Sequence, residues 1–232
     1  MVNRVTARAT RRQCFVVARR IAPLPLPPPL DLPDRAAEAL ARLLPVLGCG
    51  EEAAAVAFDG LAALQPDSDK AAADLLLTIA AEERIHDALL WQLRAGLPDL
   101  APGEHMLAAT QQLHLALSED GPVQHFARIA ALDSALCLVL GRMLRQGTPI
   151  SQDRISAPVL RRIQQDEARH VRVSRMMVHR AGVDPMLRGA ATRARAALAD
   201  VLALAAAEFE ALAVDPAWLD RAVRRLPDGL LA

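Results

Sequence analysis

The 232-residue sequence contains no tyrosine, three cysteines and no excess of charge of either sign. Cys14, Cys49 and Cys137 form neither a disulfide framework nor a zinc-binding spacing, which favours a reducing compartment. The 27 basic and 27 acidic side chains cancel, so the total charge does not point to nucleic acid or an anionic membrane as a partner. The sequence also lacks an apolar run near the roughly 20 residues that span a bilayer, and it lacks the apolar core of a secretory signal. We therefore expect a cytoplasmic protein.

The sequence is rich in residues that favour helix. Hydrophobic residues make up 53% of the chain, and alanine supplies much of that fraction. Residues 1–33 differ, because six arginines without an acid are followed by a proline–leucine alternation. This composition predicts an extended basic and proline-rich arm that is flexible or packs on a partner, rather than a nucleic-acid-binding or targeting segment. Residues 34–232 are predicted to form one all-α domain, whose bundle core spans about residues 51–178.

Apolar periodicity and turn residues predict the order of the helices in this domain. The four long helices are helix A over residues 51–65, helix B over 70–93, helix C over 122–145 and helix D over 151–178. A short helix over residues 34–44 is predicted to stop at Pro45. The segment 96–121, with a helix over 104–117, is long enough to cross over between two helix pairs. A long helix from Pro185 to about residue 214 and a short one over residues 217–225 complete the domain.

Two of these helices carry an acid and a histidine on the apolar face. Helix D has Glu167 and His170 at the centre of that face, with its arginines on the opposite side. A carboxylate that is buried alone costs several kcal/mol, roughly, unless it is paired or ligated. Helix B repeats the arrangement with Glu83 and His86. Because a Glu and a His three positions apart lie about 60° apart on a helix, each pair can address one metal ion.

Carboxylates on helices A and C match these two pairs in spacing. Glu51 and Glu83 are 32 residues apart, and Asp133 and Glu167 are 34 residues apart. With a rise of about 1.5 Å per residue, each hairpin brings its two acids to equal height. Glu51 is chosen over Glu52 because it lies nearer the apolar face of helix A. The predicted metal centre, in which the acids of helices A and C bridge the ions or complete their shells, consists of Glu51, Glu83, His86, Asp133, Glu167 and His170. The other histidines lack such a constellation and are expected at the surface or at helix ends: His105, His114, His125 and His179.

This pattern of ligands resembles the ferritin-like di-iron carboxylate superfamily, which includes ferritins, rubrerythrins, the small subunit of class I ribonucleotide reductase and several oxygenases. The resemblance covers residues 51–178, and the run from Asp166 to His170 is similar to the helix D motif of that group. It implies a ferritin-like four-helix bundle with a crossover connection and two iron ions, with manganese as an alternative metal. The family usually has Glu in helix C where this sequence has Asp133, a shorter side chain that can chelate differently. Without tyrosine the chain lacks the radical-storing residue of most reductase small subunits, and without Cys-x-x-Cys it lacks the rubredoxin-like site of rubrerythrin.

The resemblance further implies oxygen chemistry at the two irons. We expect an O2-dependent oxygenase or oxidase that acts on a small organic substrate, because the mainly Leu, Ile and Ala inner faces should leave an apolar pocket beside the irons. The alternative is a ferritin-like iron-binding, ferroxidase or peroxide-detoxifying protein, and a third reading is a metal-free helical interaction protein. An oxygenase of this kind is expected to work as a homodimer with an external electron donor. The sequence specifies neither the donor nor the substrate.

Overall fold

Helices form all the regular structure in residues 30–227, which are the residues that the computed structural model of the protein describes. In chain order they are α1 (Asp34–Ala63), α2 (Lys70–Arg94), α3 (Glu104–Leu117), α4 (Pro122–Met143), α5 (Pro149–Gln152), α6 (Ser156–Ala181), α7 (Pro185–Ala203), α8 (Ala206–Ala211) and α9 (Pro216–Arg224). The prediction of an all-α protein is confirmed for this part of the chain. The helices α2, α3 and α4 begin at the predicted residues.

The first helix is longer than predicted. The short helix over residues 34–44 and helix A are one continuous helix, α1, so the predicted stop at Pro45 is wrong. A proline inside a helix removes one backbone hydrogen bond and costs about 3 kcal/mol. Leu43, Leu44 and Cys49, on either side of this proline, are buried in the core. Burying one large apolar side chain contributes about 1.5–3 kcal/mol, so the packing of this segment offsets the cost of the proline.

Helix D begins later than predicted because Asp153 interrupts it. The first predicted turn is the separate short helix α5, and α6 starts at Ser156. Asp153 is buried, and its Oδ1 accepts hydrogen bonds from the backbone N–H of Ser156 at 2.5 Å and from the Ser156 hydroxyl at 2.6 Å. An aspartate that satisfies a free N–H group at a helix start stabilises that start. Its Oδ2 accepts a hydrogen bond of 2.8 Å from the backbone N–H of Asp31, which ties the chain before α1 to the start of α6.

The predicted arm, residues 1–33, lies outside the described residues except for residues 30–33. In that short segment Leu30 and Leu32 pack against the core. Residues 228–232 also lie outside the described part of the chain. The structure therefore describes only the end of the arm, where the chain enters α1.

The single long helix predicted after Pro185 is in fact two helices. The helix α7 ends at Ala203 and α8 begins at Ala206. At the junction the backbone N–H of Ala205 donates to the carbonyl of Leu202, a three-residue bond that tightens the last turn. The bend places Phe209 in the core, where it is 2% exposed.

Two helical hairpins position the polar residues of the bundle. The helix α1 packs along α2, α4 packs along α6, and the hairpins meet where α2 contacts α6. The connecting helix α3 lies against α1, α4 and α7, and α7 covers α4. Among the described residues, α4 is the one helix whose length and apolar composition would also suit a membrane span. In this structure 67% of that apolar window is buried, as in the central helix of a bundle.

Candidate metal centre

Three carboxylates and one imidazole form a buried group where α1, α2 and α6 meet. The group consists of Glu51 on α1, Glu83 and His86 on α2, and Glu167 on α6, and its ligand atoms all lie within 4.8 Å of one another. Each of these residues is at most 4% exposed. Glu83 and His86 share the inner face of α2 because residues three apart lie on one side of a helix. Carboxylate and imidazole are donors that several first-row divalent metals accept, so this group can hold a metal ion.

The Nδ1 atoms of two imidazoles point at the same carboxylates. His86 Nδ1 lies 3.2 Å from Glu51 Oε2. It also lies 3.3 Å from Glu83 Oε2 and 3.4 Å from Glu167 Oε1. His170 Nδ1 lies 2.9 Å from Glu83 Oε1 and 3.7 Å from Glu167 Oε2, and the two rings stack with centroids 5.8 Å apart. Glu83 of α2 and Glu167 of α6 therefore lie between the two imidazoles and contact both of them. Glu51 of α1 contacts only the His86 ring among these contacts.

Asp133 approaches this group from α4. The residue is 9% exposed, and its Oδ2 has no hydrogen-bond partner among the described residues. Burial, followed by the nearby carboxylates of Glu167 and Glu83, raises the pKa of Asp133 well above its usual range. Burial and the charge of Glu83 likewise raise the pKa of Glu51 to about 8. Glu51 therefore holds a proton at pH 7 in the metal-free protein, and the shift of Asp133 disfavours its ionised form in the same way.

The surrounding carboxylates keep both imidazoles charged. Burial by itself lowers the pKa of an imidazole, but the close contacts of His86 with three carboxylates raise its pKa far above the ordinary value. For His170 the contacts with Glu167 and Glu83 outweigh burial in the same way and raise the pKa to about 11. In the metal-free protein, two imidazolium groups thus balance part of the negative charge of the cluster.

The cluster holds more buried polar atoms than the described residues satisfy. Both carboxylate oxygens of Glu83, Oε1 of Glu167 and Oδ2 of Asp133 lack a well-directed hydrogen bond. His170 Nδ1 also lacks a hydrogen bond, because its 2.9 Å contact with Glu83 Oε1 is poorly aligned for one. A buried polar atom left unpaired costs about 1–3 kcal/mol. Carboxylate oxygens and an imidazole nitrogen that lack partners are donors that a divalent cation would satisfy, and Glu83 and Glu167 lie in the group whose ligand atoms are close enough to share one ion.

Two further acids hold the outer nitrogens of the imidazoles. His86 Nε2 donates to Asp166 Oδ2 at 3.1 Å, and His170 Nε2 donates to Glu82 Oε2 at 2.9 Å. Arg169 donates to both acids, at 3.0 Å to Asp166 and at 2.7 Å to Glu82. A proton on Nε2 leaves Nδ1 of each ring free to bind a metal. Neither acid is among the predicted ligands, although one sequence signal marks both: each directly precedes the Glu of a Glu-x-x-His motif.

The six predicted ligands all lie in or beside this cluster. Glu51, Glu83, His86 and Glu167 form the tight group, while His170 and Asp133 border it. Glu52 is also buried, but it lies outside the group.

Two of the other histidines lie at helix ends, as expected, but they are not at the surface: His114 is in the last turn of α3 and His125 is in the first turn of α4. His125 is 8% exposed and His114 is partly buried, because α3 packs against α1 and the start of α4 lies in the core. Burial lowers the pKa of each to about 4, so both are neutral at pH 7. His105 and His179 are exposed as expected.

An apolar cavity of about 120 Å³ borders the cluster. Its volume is close to the roughly 150 Å³ of a protein cavity that holds benzene. Glu51, Glu83, Asp133 and Glu167 form one part of its wall. Leucine, valine and methionine side chains of α1, α3, α4 and α7, together with Phe209 of α8, form most of the rest. The described residues that line the cavity include no lysine or arginine.

Comparison of the chain with protein-family models, with curated proteins and with solved structures gives no match. The class of this protein is therefore defined by its fold and its site alone. The described part of the chain is all-helical, and it carries a buried Glu/His cluster that can bind a metal.

Proposed function

We propose that the protein is a ferritin-like, non-haem di-iron protein in which α1, α2, α4 and α6 form the four-helix bundle and α3 is its crossover connection. In this proposal Glu51 and His86 hold one ion, Asp133 and His170 hold the other, and the acids of α2 and α6 are shared. Four carboxylates and two imidazoles are the donor set of di-iron and di-manganese bundle proteins. Two divalent cations carry four positive charges, which four carboxylates balance.

We further propose that the protein is an O2-dependent oxygenase or oxidase that acts on a small organic substrate. The observation that carries this proposal is the apolar cavity, which shares four acids with the cluster and so holds its contents beside the metal ligands. Two ferrous ions bound there would supply the electrons for activating O2. The chain itself would orient the substrate, exclude water with the apolar wall, and keep a proton on Nε2 of each imidazole through Glu82 and Asp166.

A single-turnover experiment tests this function. The full-length chain is loaded with ferrous iron without oxygen, mixed with a panel of benzene, phenol and cyclohexanol, and given one pulse of labelled O2. We expect one O2 to be consumed per two irons and, with a panel member that serves as substrate, label or two-electron oxidation in the product. The variant Glu167→Gln removes a shared negative charge with little change in shape and should abolish O2 consumption. The variant Asp74→Asn, which alters an exposed acid of the same bundle, should leave it unchanged.

Two outcomes would contradict the oxygenase proposal. Oxidation of a large excess of iron into a mineral, by a chain that elutes as a large hollow assembly rather than a dimer, would instead support the ferroxidase alternative. A chain that retains no iron or manganese after loading would reject both.

A further inference from the structure

Within the cavity, two polar side chains of α3 stand apart from the metal cluster. Thr110 and His114 both line the cavity, and since they are four residues apart they lie on the same face of the helix. Neither belongs to the cluster of acids and imidazoles described above. The crossover helix thus contributes its own polar pair to a wall that is otherwise mainly apolar.

The imidazole of His114 is available for a ligand. The described residues provide no hydrogen bond to either of its ring nitrogens, and its Nε2 lies 3.4 Å from the position that a Cβ atom at Gly50 would occupy. Gly50 also lines the cavity and directly precedes Glu51 in α1. The ring is therefore held near the metal cluster by a close approach of α3 to α1. Being neutral at pH 7, it has one N–H donor and one acceptor nitrogen to offer.

The hydroxyl of Thr110 complements this ring. It donates to the backbone carbonyl of Met106 at 2.8 Å, so its oxygen keeps the capacity to accept a hydrogen bond. Thr110 is 4% exposed, which means that a partner must come from within the cavity. A ligand hydroxyl can donate to Thr110 or His114, and a ligand hydroxyl or carbonyl oxygen can accept from the ring N–H of His114.

The charged groups around the cavity disfavour an ionic ligand. The four acids of its wall belong to the metal cluster, where imidazolium groups or metal ions balance their charge, and no lysine or arginine is present among its described lining residues. An anionic ligand in the apolar part of the cavity would be buried without a lysine or arginine as counter-ion, which is strongly unfavourable. Once divalent cations balance these carboxylates, a cationic ligand would lack a partner as well.

We infer that this cavity binds an uncharged, mainly apolar molecule of about the size of a benzene ring, whose single hydroxyl or carbonyl group is held by His114 and Thr110. The inference rests on the proposed function, because it names the class of substrate that the metal centre would act on. In this inference His114 and Thr110 are positioning residues. They hold the hydroxyl or carbonyl group of the ligand, so that the apolar part of the ligand faces the metal cluster.

Binding of phenol and benzene to the full-length, chelator-treated protein tests the inference without involving the metal. Calorimetry or ligand-observed NMR should show tighter binding of phenol than of benzene. The variant His114→Leu keeps the apolar volume and removes the hydrogen bond, so it should weaken phenol binding by roughly 2- to 12-fold, the value of one ordinary hydrogen bond, and leave benzene binding unchanged.

A pair of glycine variants provides the matched control. Gly50→Ala adds a methyl group in ordinary contact distance of His114 Nε2, so it should reduce the preference for phenol while the helix remains intact. Gly60→Ala makes the same change in the same helix where no atom lies within 4 Å, and it should leave both affinities unchanged.

Equal binding of phenol and benzene, a preference for phenol that is as large in His114→Leu as in the unaltered protein, or no binding of either molecule would overturn the inference. Iron retention is measured separately on the same preparations. Loss of the metal with an intact preference for phenol would reject the proposed function but leave the ligand site standing.

Discussion

Loading the cluster with two divalent ions should release about four protons at pH 7. In the metal-free protein the pKa of Glu51 is raised to about 8 and that of His170 to about 11, while the pKa values of Asp133 and His86 lie well above their ordinary values. Glu51, His86 and His170 therefore hold a proton at pH 7, and the direction of the shift favours the protonated form of Asp133 as the fourth group. Metal ligation needs neutral imidazoles and ionised carboxylates, so each of these protons must leave.

The count is consistent with the charge of the site. Four protons and two divalent cations carry the same charge, so the exchange leaves the total charge of the buried cluster unchanged, which a low-dielectric interior favours. Because about four protons are released, the apparent affinity for the pair of ions should rise roughly 10⁴-fold per pH unit near pH 7. The affinity is thus predicted to be steeply dependent on pH.

Calorimetric titration of the chelator-treated protein with manganese(II), in two buffers of different ionisation enthalpy, measures this proton release. The variant Asp133→Asn removes one titrating group and should lower the count to about three. The variant Asp74→Asn changes an acid that is exposed and paired with Lys70, and it should leave the count at four. Release of one proton or none while two ions bind would refute the reasoning, because the cluster would then be ionised before the metal arrives.

Three further predictions follow from single features of the structure. Replacing Asp166 with Asn removes the carboxylate that accepts the His86 Nε2 proton, so metal affinity measured by chelator competition should fall about 10- to 100-fold, and an unchanged affinity would argue against this role. Replacing Pro45 with Ala restores a backbone N–H inside α1, which is worth about 3 kcal/mol, but it also raises the entropy of the unfolded chain, which costs up to about 1 kcal/mol. The variant should therefore be more stable by about 2 kcal/mol. A lower Tm would show instead that the proline ring contributes to packing. The metal-free protein should lose stability as pH rises from 6.5 to 8, because in this range the raised pKa values of Glu51 (about 8) and His170 (about 11) make the folded state bind more protons than the unfolded state. Below pH 6.5 the lowered pKa values of His114 and His125 act in the opposite direction, so the test is confined to the upper range. A Tm that rises between pH 6.5 and 8 would contradict the raised pKa values.

Sequence spacing was sufficient to predict the inner part of the site. A Glu and a His three residues apart must share a helix face, and equal distances from two hairpin turns bring acids to equal height. These rules hold wherever helices are regular, and Glu83, His86 and Glu167 lie together as expected. The same rules left open which acids are shared, because that depends on how α2 and α6 approach one another.

Tertiary packing accounts for what the sequence did not reveal. Pro45 and Gly48 are strong local signals for the end of a helix, yet the buried leucines around them keep α1 continuous. The outer acids Glu82 and Asp166 act across the interface between two helices, so each becomes recognisable only when its partner imidazole is located. His114 looked unremarkable for the same reason, since its neighbours come from α1 and the cavity rather than from its own helix.

Anomalous diffraction from crystals of the iron-loaded protein, recorded on both sides of the iron absorption edge, tests the central claim most directly. We predict two iron peaks roughly 3.5–4 Å apart, each about 2.0–2.2 Å from a carboxylate oxygen of both Glu83 and Glu167. One peak should lie beside His86 and the other beside His170. A single peak, a peak elsewhere in the protein, or a fully loaded crystal without iron at these side chains would contradict the claim.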